Sequence, residues 1–217
     1  MNHLFYHSYC IEGSKDIFMR LYMRIKASKL FDSLEKIHVV NVGPKKEQQH
    51  NIIKELSKVE SVVREVDSSE AETLKFLWEF CQQSNNCNIC YLHSKGITRN
   101  GNRRIEQWVD YLQFMTIDEW KENIKALESY SMSGCSFYGG KNPGDNAPPH
   151  YSGNFWWARS SYIKQLPKIE SNHDRIKCEF WPVDNKEENK KYCIFNSRVD
   201  HYKTDYPREK YVNYRKN

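Results

Sequence analysis

Nowhere in this chain do about 18 apolar residues follow one another, so nothing in it reads as a bilayer-spanning helix. The opening MNHLFYHSYC has no basic run leading into an apolar segment, so it is not expected to be a secretory leader. The expected protein is soluble and cytoplasmic. Seven cysteines, at 10, 81, 87, 90, 135, 178 and 193, are an odd number scattered through apolar segments. They read as reduced, buried thiols, with no disulfide framework. Cys87 and Cys90 make a CxxC, but the second pair that a structural zinc site needs is missing, and the segment also reads as a strand interior. A continuous basic stripe is absent too: 33 Lys and Arg are interspersed with 28 Asp and Glu. The net charge of +5 suits an anionic small ligand, and no nucleic-acid partner is expected. Neither an internal repeat nor a long linker divides the chain.

What is present is length for a real core and a heavy aromatic load. At 217 residues, one domain spanning 1–217 is expected. Aromatics make up 14%, with 6 Trp and 14 Tyr, concentrated in the second half. Strand-like LFYHSYC (4–10) precedes a helical pattern from Ser14 to about Leu34, with Phe18, Leu21, Tyr22, Ile25 and Leu30 near a 3.6 period. KIHVVNVG (36–43) is a second strand, 46–57 a short helix, and SVVREVD (61–67) a third strand. Ser68 or Ser69 is placed to cap the helix EAETLKFLWEF, and NICYLHSKG follows as a fourth strand with its turn. Strands alternating with helices predict a mostly parallel sheet, whose ligands gather at the carboxyl ends of the strands. His93 and Lys95 fall there.

Beyond residue 100 the pattern changes. Residues 103–128 read as helix, broken near Thr116, and SMSGCSFYGG (131–140) reads as a strand. KNPGDNAPPHYSGN is a loop that runs into FWWARSSYIKQLP. The charged, tyrosine-rich tail from Asp200 is expected to wrap the surface. Adjacent Trp156 and Trp157 on a strand point to opposite faces, so one ring is free to face a cleft and stack on a sugar. Gly153 permits close backbone approach, and Asn154 offers a donor and an acceptor to hydroxyls.

YLHSKGITR, the tryptophan-bearing helix, HYSGNFWWARSSYIKQLP and CEFW together resemble small GT-A type glycosyltransferase-like proteins of large DNA viruses and bacteria. Around the HSK triplet the chain is similar to rhamnan-type polysaccharide-synthesis proteins, which carry an HxK there. The resemblance covers roughly residues 2–200, and HYSGNFWWA is its most specific part. It implies a GT-A-like, Rossmann-like α/β fold with a mixed, mostly parallel sheet flanked by helices. Residues 1–100 would form the nucleotide-sugar half, 101–200 the acceptor half and 201–217 a tail. The implied donor is a nucleotide sugar, a UDP-sugar first, and the implied acceptor a glycan.

One departure from that pattern matters. Such enzymes usually end the fourth strand on a DxD pair that holds a divalent metal, and here His93-Ser94-Lys95 stands in its place. Lys95, with Gly96 and with Arg99, Arg103 or Arg104, is expected to meet the donor diphosphate with fixed positive charge. A site for Mn²⁺ or Mg²⁺ built from His93 with His150 or His201 stays open. Acceptor binding is expected from His150, Gly153, Asn154 and Trp156. Glu179, flanked by Cys178, Phe180 and Trp181, is the expected base of an inverting transfer; Asp174 and Asp184 are weaker candidates. The alternative role for Glu179 is a surface carboxylate at a helix start. A non-catalytic carbohydrate- or nucleotide-sugar-binding protein is the alternative function, favoured by the missing DxD.

Overall fold

A computed structural model describes residues 1–65, 69–99, 101–138, 148–170, 174–184 and 190–216. The strands are β1 (Asn2–Tyr9), β2 (Leu34–Val42), β3 (Val59–Val63), β4 (Asn88–His93), β5 (Met132–Gly134), β6 (Phe137–Tyr138), β7 (His150–Tyr151), β8 (Trp156–Arg159) and β9 (Lys191–Cys193). The helices are α1 (Ser14–Ala27), α2 (Leu30–Ser33), α3 (Lys46–Ile53), α4 (Ala71–Gln83), α5 (Arg103–Gln113), α6 (Trp120–Ala126), α7 (Ser160–Ile163) and α8 (Arg175–Phe180). A seven-stranded mixed sheet runs in the order β3-β2-β1-β4-β8-β5-β9. β1, β2, β3 and β4 are mutually parallel, while β8 is antiparallel to both β4 and β5. This is the α/β, mostly parallel, helix-flanked architecture expected. Both halves of the chain contribute to one sheet, because β8 lies directly against β4.

Alternating side chains send one set of residues to each face of the sheet. Leu4, Tyr6, Ile37, Val39, Cys90, Leu92 and Trp157 pack under α1, α5 and the neighbouring helices. Phe5, Ile89, Tyr91, Trp156 and Ala158 pack under α4, α7 and α8. In α1, Phe18, Leu21, Tyr22 and Ile25 form the buried stripe, but the helix ends earlier than its periodicity predicts. The Ser28 hydroxyl donates to the Ile25 carbonyl at 3.0 Å and accepts from Leu30 N at 3.3 Å, and Lys29 takes φ 62°. A local side-chain bond thereby replaces the helical ladder.

The break expected near Thr116 is a π-helical turn over Phe114–Asp118. The predicted strand 131–140 divides into β5 and β6 at Cys135-Ser136, where Ser136 has φ 51°; residues 139–147 lie outside the described residues, as does Ser68 among the two expected caps. The tail does more than wrap the surface. Tyr206 and Tyr211 are buried in the core beneath α5, and Arg208 joins Arg24 of α1 on the carboxylates of Asp110 and Asp118. That cluster ties α1, α5 and the tail together around the candidate site. All seven cysteines are free, and Cys87 and Cys90 are buried.

α5 forms one wall of the site and starts with a side-chain cap. Asn102 Oδ1 accepts from Arg104 N at 3.1 Å and Ile105 N at 3.3 Å, satisfying two of the otherwise unbonded amides of the first turn. Asn102→Ala is expected to cost about 1 kcal/mol of stability, read as a lower urea midpoint with an unchanged slope.

Candidate functional site

Because β2 lies on one side of β1 and β4 on the other, the sheet's topological switch point falls between β1 and β4, where ligands of such sheets settle. His93 ends β4 in register with His7 of β1. Both rings are buried. His93 Nε2 donates to the Gly153 carbonyl at 3.0 Å, and His7 Nδ1 lies 2.8 Å from Thr73 Oγ1. Burial pushes the His93 ring down to about 3 and the His7 ring to about 4, so both are neutral at pH 7. Next in the chain, Ser94 N bonds the His7 carbonyl at 2.9 Å, and Ser94 Oγ accepts from Tyr9 N at 2.9 Å. The two strand ends are locked together at that point.

The chain then turns sharply. Gly96 sits at φ +80°, and a Cβ there would stand 2.6 Å from Ile105 Cγ2, so only glycine lets the turn press against α5. Lys95 is thrown inward. It is 7% exposed, and its Nζ stands 3.9 Å from the centroid of the Trp108 ring, a cation–π contact. Burial brings its ammonium down to about 8, with Glu179 and Glu70 acting upward and Arg175 and Arg99 downward. None of the described carboxylates reaches ion-pair distance of Lys95.

Two cavities meet at this lysine. A cleft of about 560 Å³ lies between α1, the turn after β4 and α5, with Arg20, Arg24, Lys95 and Arg99 on its walls opposed by Glu106 and Asp110. A cavity of about 30 Å³ on the far side of the turn is walled by Lys95, Arg99, Trp108, Arg175 and Tyr202. Behind the strand ends, Glu70 Oε1 accepts from Tyr91 Oη at 2.7 Å and Asn154 Nδ2 at 2.6 Å. Glu70 occupies the N-cap position of α4 without a capping side-chain bond; its carboxylate serves this inner network instead.

Of the residues expected from the sequence, Lys95, Gly96 and Arg99 line both cavities; Glu179 lines neither, and its charge acts on Lys95. Glu179 lies in the last turn of α8, not at its start, where the cap is Asp174 accepting from Lys177 N at 2.8 Å. Arg103 and Arg104 are directed away, toward Asp205 at 3.8 Å and 3.0 Å. Trp156 and Trp157 are both fully buried; neither ring faces a cleft. Each indole is spent internally, Trp156 Nε1 on Asn154 Oδ1 at 2.8 Å and Trp157 Nε1 on the Thr116 carbonyl at 2.9 Å. Asn154 is wholly buried. Gly153 has φ +95°, and a Cβ there would meet Leu112 Cδ1 at 2.6 Å. The SGNFWW stretch thus builds the core behind the site.

The three histidines considered for a metal do not converge. His93 is held by Gly153, His150 Nδ1 by the Pro148 carbonyl at 2.8 Å, and His201 Nε2 by Ser197 Oγ at 2.8 Å. Among the described residues no group of three His, Cys, Asp or Glu is placed to hold a metal ion, so these residues do not fit the Mn²⁺ or Mg²⁺ site left open. Sequence reading missed Arg175, Glu70 and Tyr202. Trp108 carried a signal only as part of the apolar stripe of α5, and nothing local distinguishes an arginine that opens a short helix.

Residues 6–207 match the family described as a domain of unknown function (DUF8361), and the chain belongs to it. No curated protein matches its sequence. Among solved structures it is similar to the 4-diphosphocytidyl-2C-methyl-D-erythritol synthase of Anaerococcus prevotii DSM 20548, with TM-score 0.49 and 8% identity over 91% of this chain and 88% of that one. A second structure of a synthase of that name gives TM-score 0.44 and 11% identity over 88% of this chain and 87% of the other. Among the described residues no helix is long and apolar enough to cross a membrane.

Proposed function

We propose that this protein is a nucleotide-sugar-dependent glycosyltransferase of inverting type, with the donor diphosphate at Lys95 and a hydroxyl of a glycan as acceptor. The observation that carries the reading is Lys95 itself: an ammonium nine-tenths buried at the switch point, against Trp108, without an ion-paired carboxylate among the described residues. Removing such a charge from water costs several kcal/mol, and a bound anion offsets that cost. As the sugar–phosphate bond breaks, the departing diphosphate gains negative charge, which Lys95 and Arg99 stabilise from fixed positions. The cleft of about 560 Å³ falls within the size range of small-molecule sites. Glu179 is the proposed base for the acceptor hydroxyl. On the acceptor side, half-buried His150, edge-on to Phe180 at 5.4 Å between centroids, is the remaining expected residue with access to solvent.

Thermal-shift screening against UDP-, GDP- and dTDP-sugars with and without Mn²⁺ tests the reading. A ligand at a hundredfold its Kd adds about 2.7 kcal/mol, a clear rise in melting temperature. No rise with any of them overturns it. Activity is expected to survive EDTA, because HSK stands where the resemblance puts DxD and supplies fixed charge. Complete loss in EDTA, restored by Mn²⁺, assigns the diphosphate to a metal instead. The buried SGNFWW stretch favours one second reading, a protein that binds the nucleotide sugar without transferring it. Release of free nucleotide in the presence of acceptor separates the two.

A further inference from the structure

The cavity of about 30 Å³ behind the turn is too small for a sugar or a base. At about 10–15 Å³ for each water-sized occupant, it holds two or three oxygen-sized atoms. Among the described residues its walls carry three cations, Lys95, Arg99 and Arg175, and no carboxylate. Neither Arg99 nor Arg175 ion-pairs with a described residue. Three like charges around one small cavity repel, so the arrangement is disfavoured while empty and favoured by an anion of matching size. The cavity shares Lys95, Gly96, Arg99 and Ile105 with the large cleft, so a group lodged in it continues directly into the space where the rest of a ligand fits.

Two of its walls come from distant parts of the chain. Arg175 opens α8. Tyr202 belongs to the tail, where it covers Arg99 with 5.2 Å from guanidinium carbon to ring centroid, and meets Trp108 edge-on at 5.0 Å. The tail is held there by His201, stacked on Trp108 at 5.4 Å between centroids with only 3° between planes. Trp108 Nε1 and His201 Nδ1 are buried without a hydrogen-bond partner among the described residues, which leaves polar capacity beside the cavity.

We infer that Arg175 and Tyr202 belong to the phosphate site: Arg175 binds the non-bridging oxygens of a ligand diphosphate together with Lys95 and Arg99, and Tyr202 is a positioning residue that holds the Arg99 guanidinium. This rests on the reading that the ligand carries a diphosphate. Bond geometry favours arginine for it, since a planar guanidinium engages two phosphate oxygens at once.

The test is calorimetric titration of the full-length chain with sodium pyrophosphate and with UDP, comparing the parent with Lys95→Ala, Arg175→Ala, Arg175→Lys, Tyr202→Ala and Tyr202→Phe. Arg175→Ala is expected to weaken both ligands by about tenfold, the worth of one charge-assisted contact, with Arg175→Lys recovering part of it. Tyr202→Ala is expected to weaken both by about threefold to fivefold, while Tyr202→Phe, which keeps the ring over Arg99, stays within about twofold. Arg175 and Tyr202 are both exposed on one side, so ligand-free melting temperatures should stay close to the parent's. If Arg175→Ala and Tyr202→Ala bind as the parent does while Lys95→Ala loses affinity, this inference is wrong and the proposed site stands. If pyrophosphate and UDP fail to bind the parent, or Lys95→Ala binds them as tightly as the parent, both fall.

Discussion

Glu179→Gln is expected to lower turnover by roughly two to four orders of magnitude while donor affinity changes little. Glutamine keeps the size and hydrogen bonding of the side chain but cannot accept the acceptor's proton. The position suits a base on three counts. Glu179 is half-buried beside buried Cys178 and Trp181, its charge is the largest favourable one acting on Lys95, and its competitors are otherwise engaged. Glu70 is tied to Tyr91 and Asn154, Asp174 caps α8, and Asp184 is exposed at the end of the following turn. The parent's pH–rate profile should have an acidic limb that the variant lacks. Turnover within a few-fold of the parent makes Glu179 a structural partner of Lys95. A product that keeps the donor's anomeric configuration reassigns it to acceptor binding.

Lys95→Ala is expected to weaken donor binding or turnover by at least tenfold, roughly 1.4 kcal/mol, with the fold intact. A pH dependence accompanies it. Burial, with Arg175 and Arg99 adding to it, lowers the Lys95 ammonium from 10.5 to about 8, so in the free protein the positive charge is present below about pH 8 and is lost above it. Pyrophosphate affinity of the parent should therefore fall as pH rises through that value, by up to about tenfold per unit. Stability moves the other way. Between about 8 and 10.5 the unfolded chain still binds at Lys95 the proton that the folded chain has released, so Lys95's own contribution to stability rises with pH in that window, while the buried cysteines, with thiols pushed up by burial, act in the opposite sense. Lys95→Ala removes Lys95's part of both dependences, read as the difference between the parent and variant profiles, and an affinity profile equally steep in the alanine variant places the titrating group elsewhere.

The sequence alone determined the parts of this protein that depend on neighbours along the chain. Periodicity located α1, α4 and α5, and short strand-like apolar stretches located β1, β2 and β4, because each element must bury its own apolar side chains. The glycine after Lys95 marked the turn that carries the charge, since a backbone at positive φ announces itself in residue type. Tertiary structure alone decided what surrounds that turn. One of Trp156 and Trp157 was expected to face a cleft as a sugar platform, but helices cover both faces of the sheet at β8, and both rings are buried. Arg103 lies only eight positions beyond Lys95, yet α5 points it to Asp205. Arg175 and Tyr202, about 80 and 107 positions beyond Lys95 by the numbering, reach the same cavity only because α8 and the docked tail fold back across the carboxyl ends of the strands. Nothing in a local pattern encodes such closeness: the packing of the sheet's two faces sets it, and that packing exists only once the whole chain is folded.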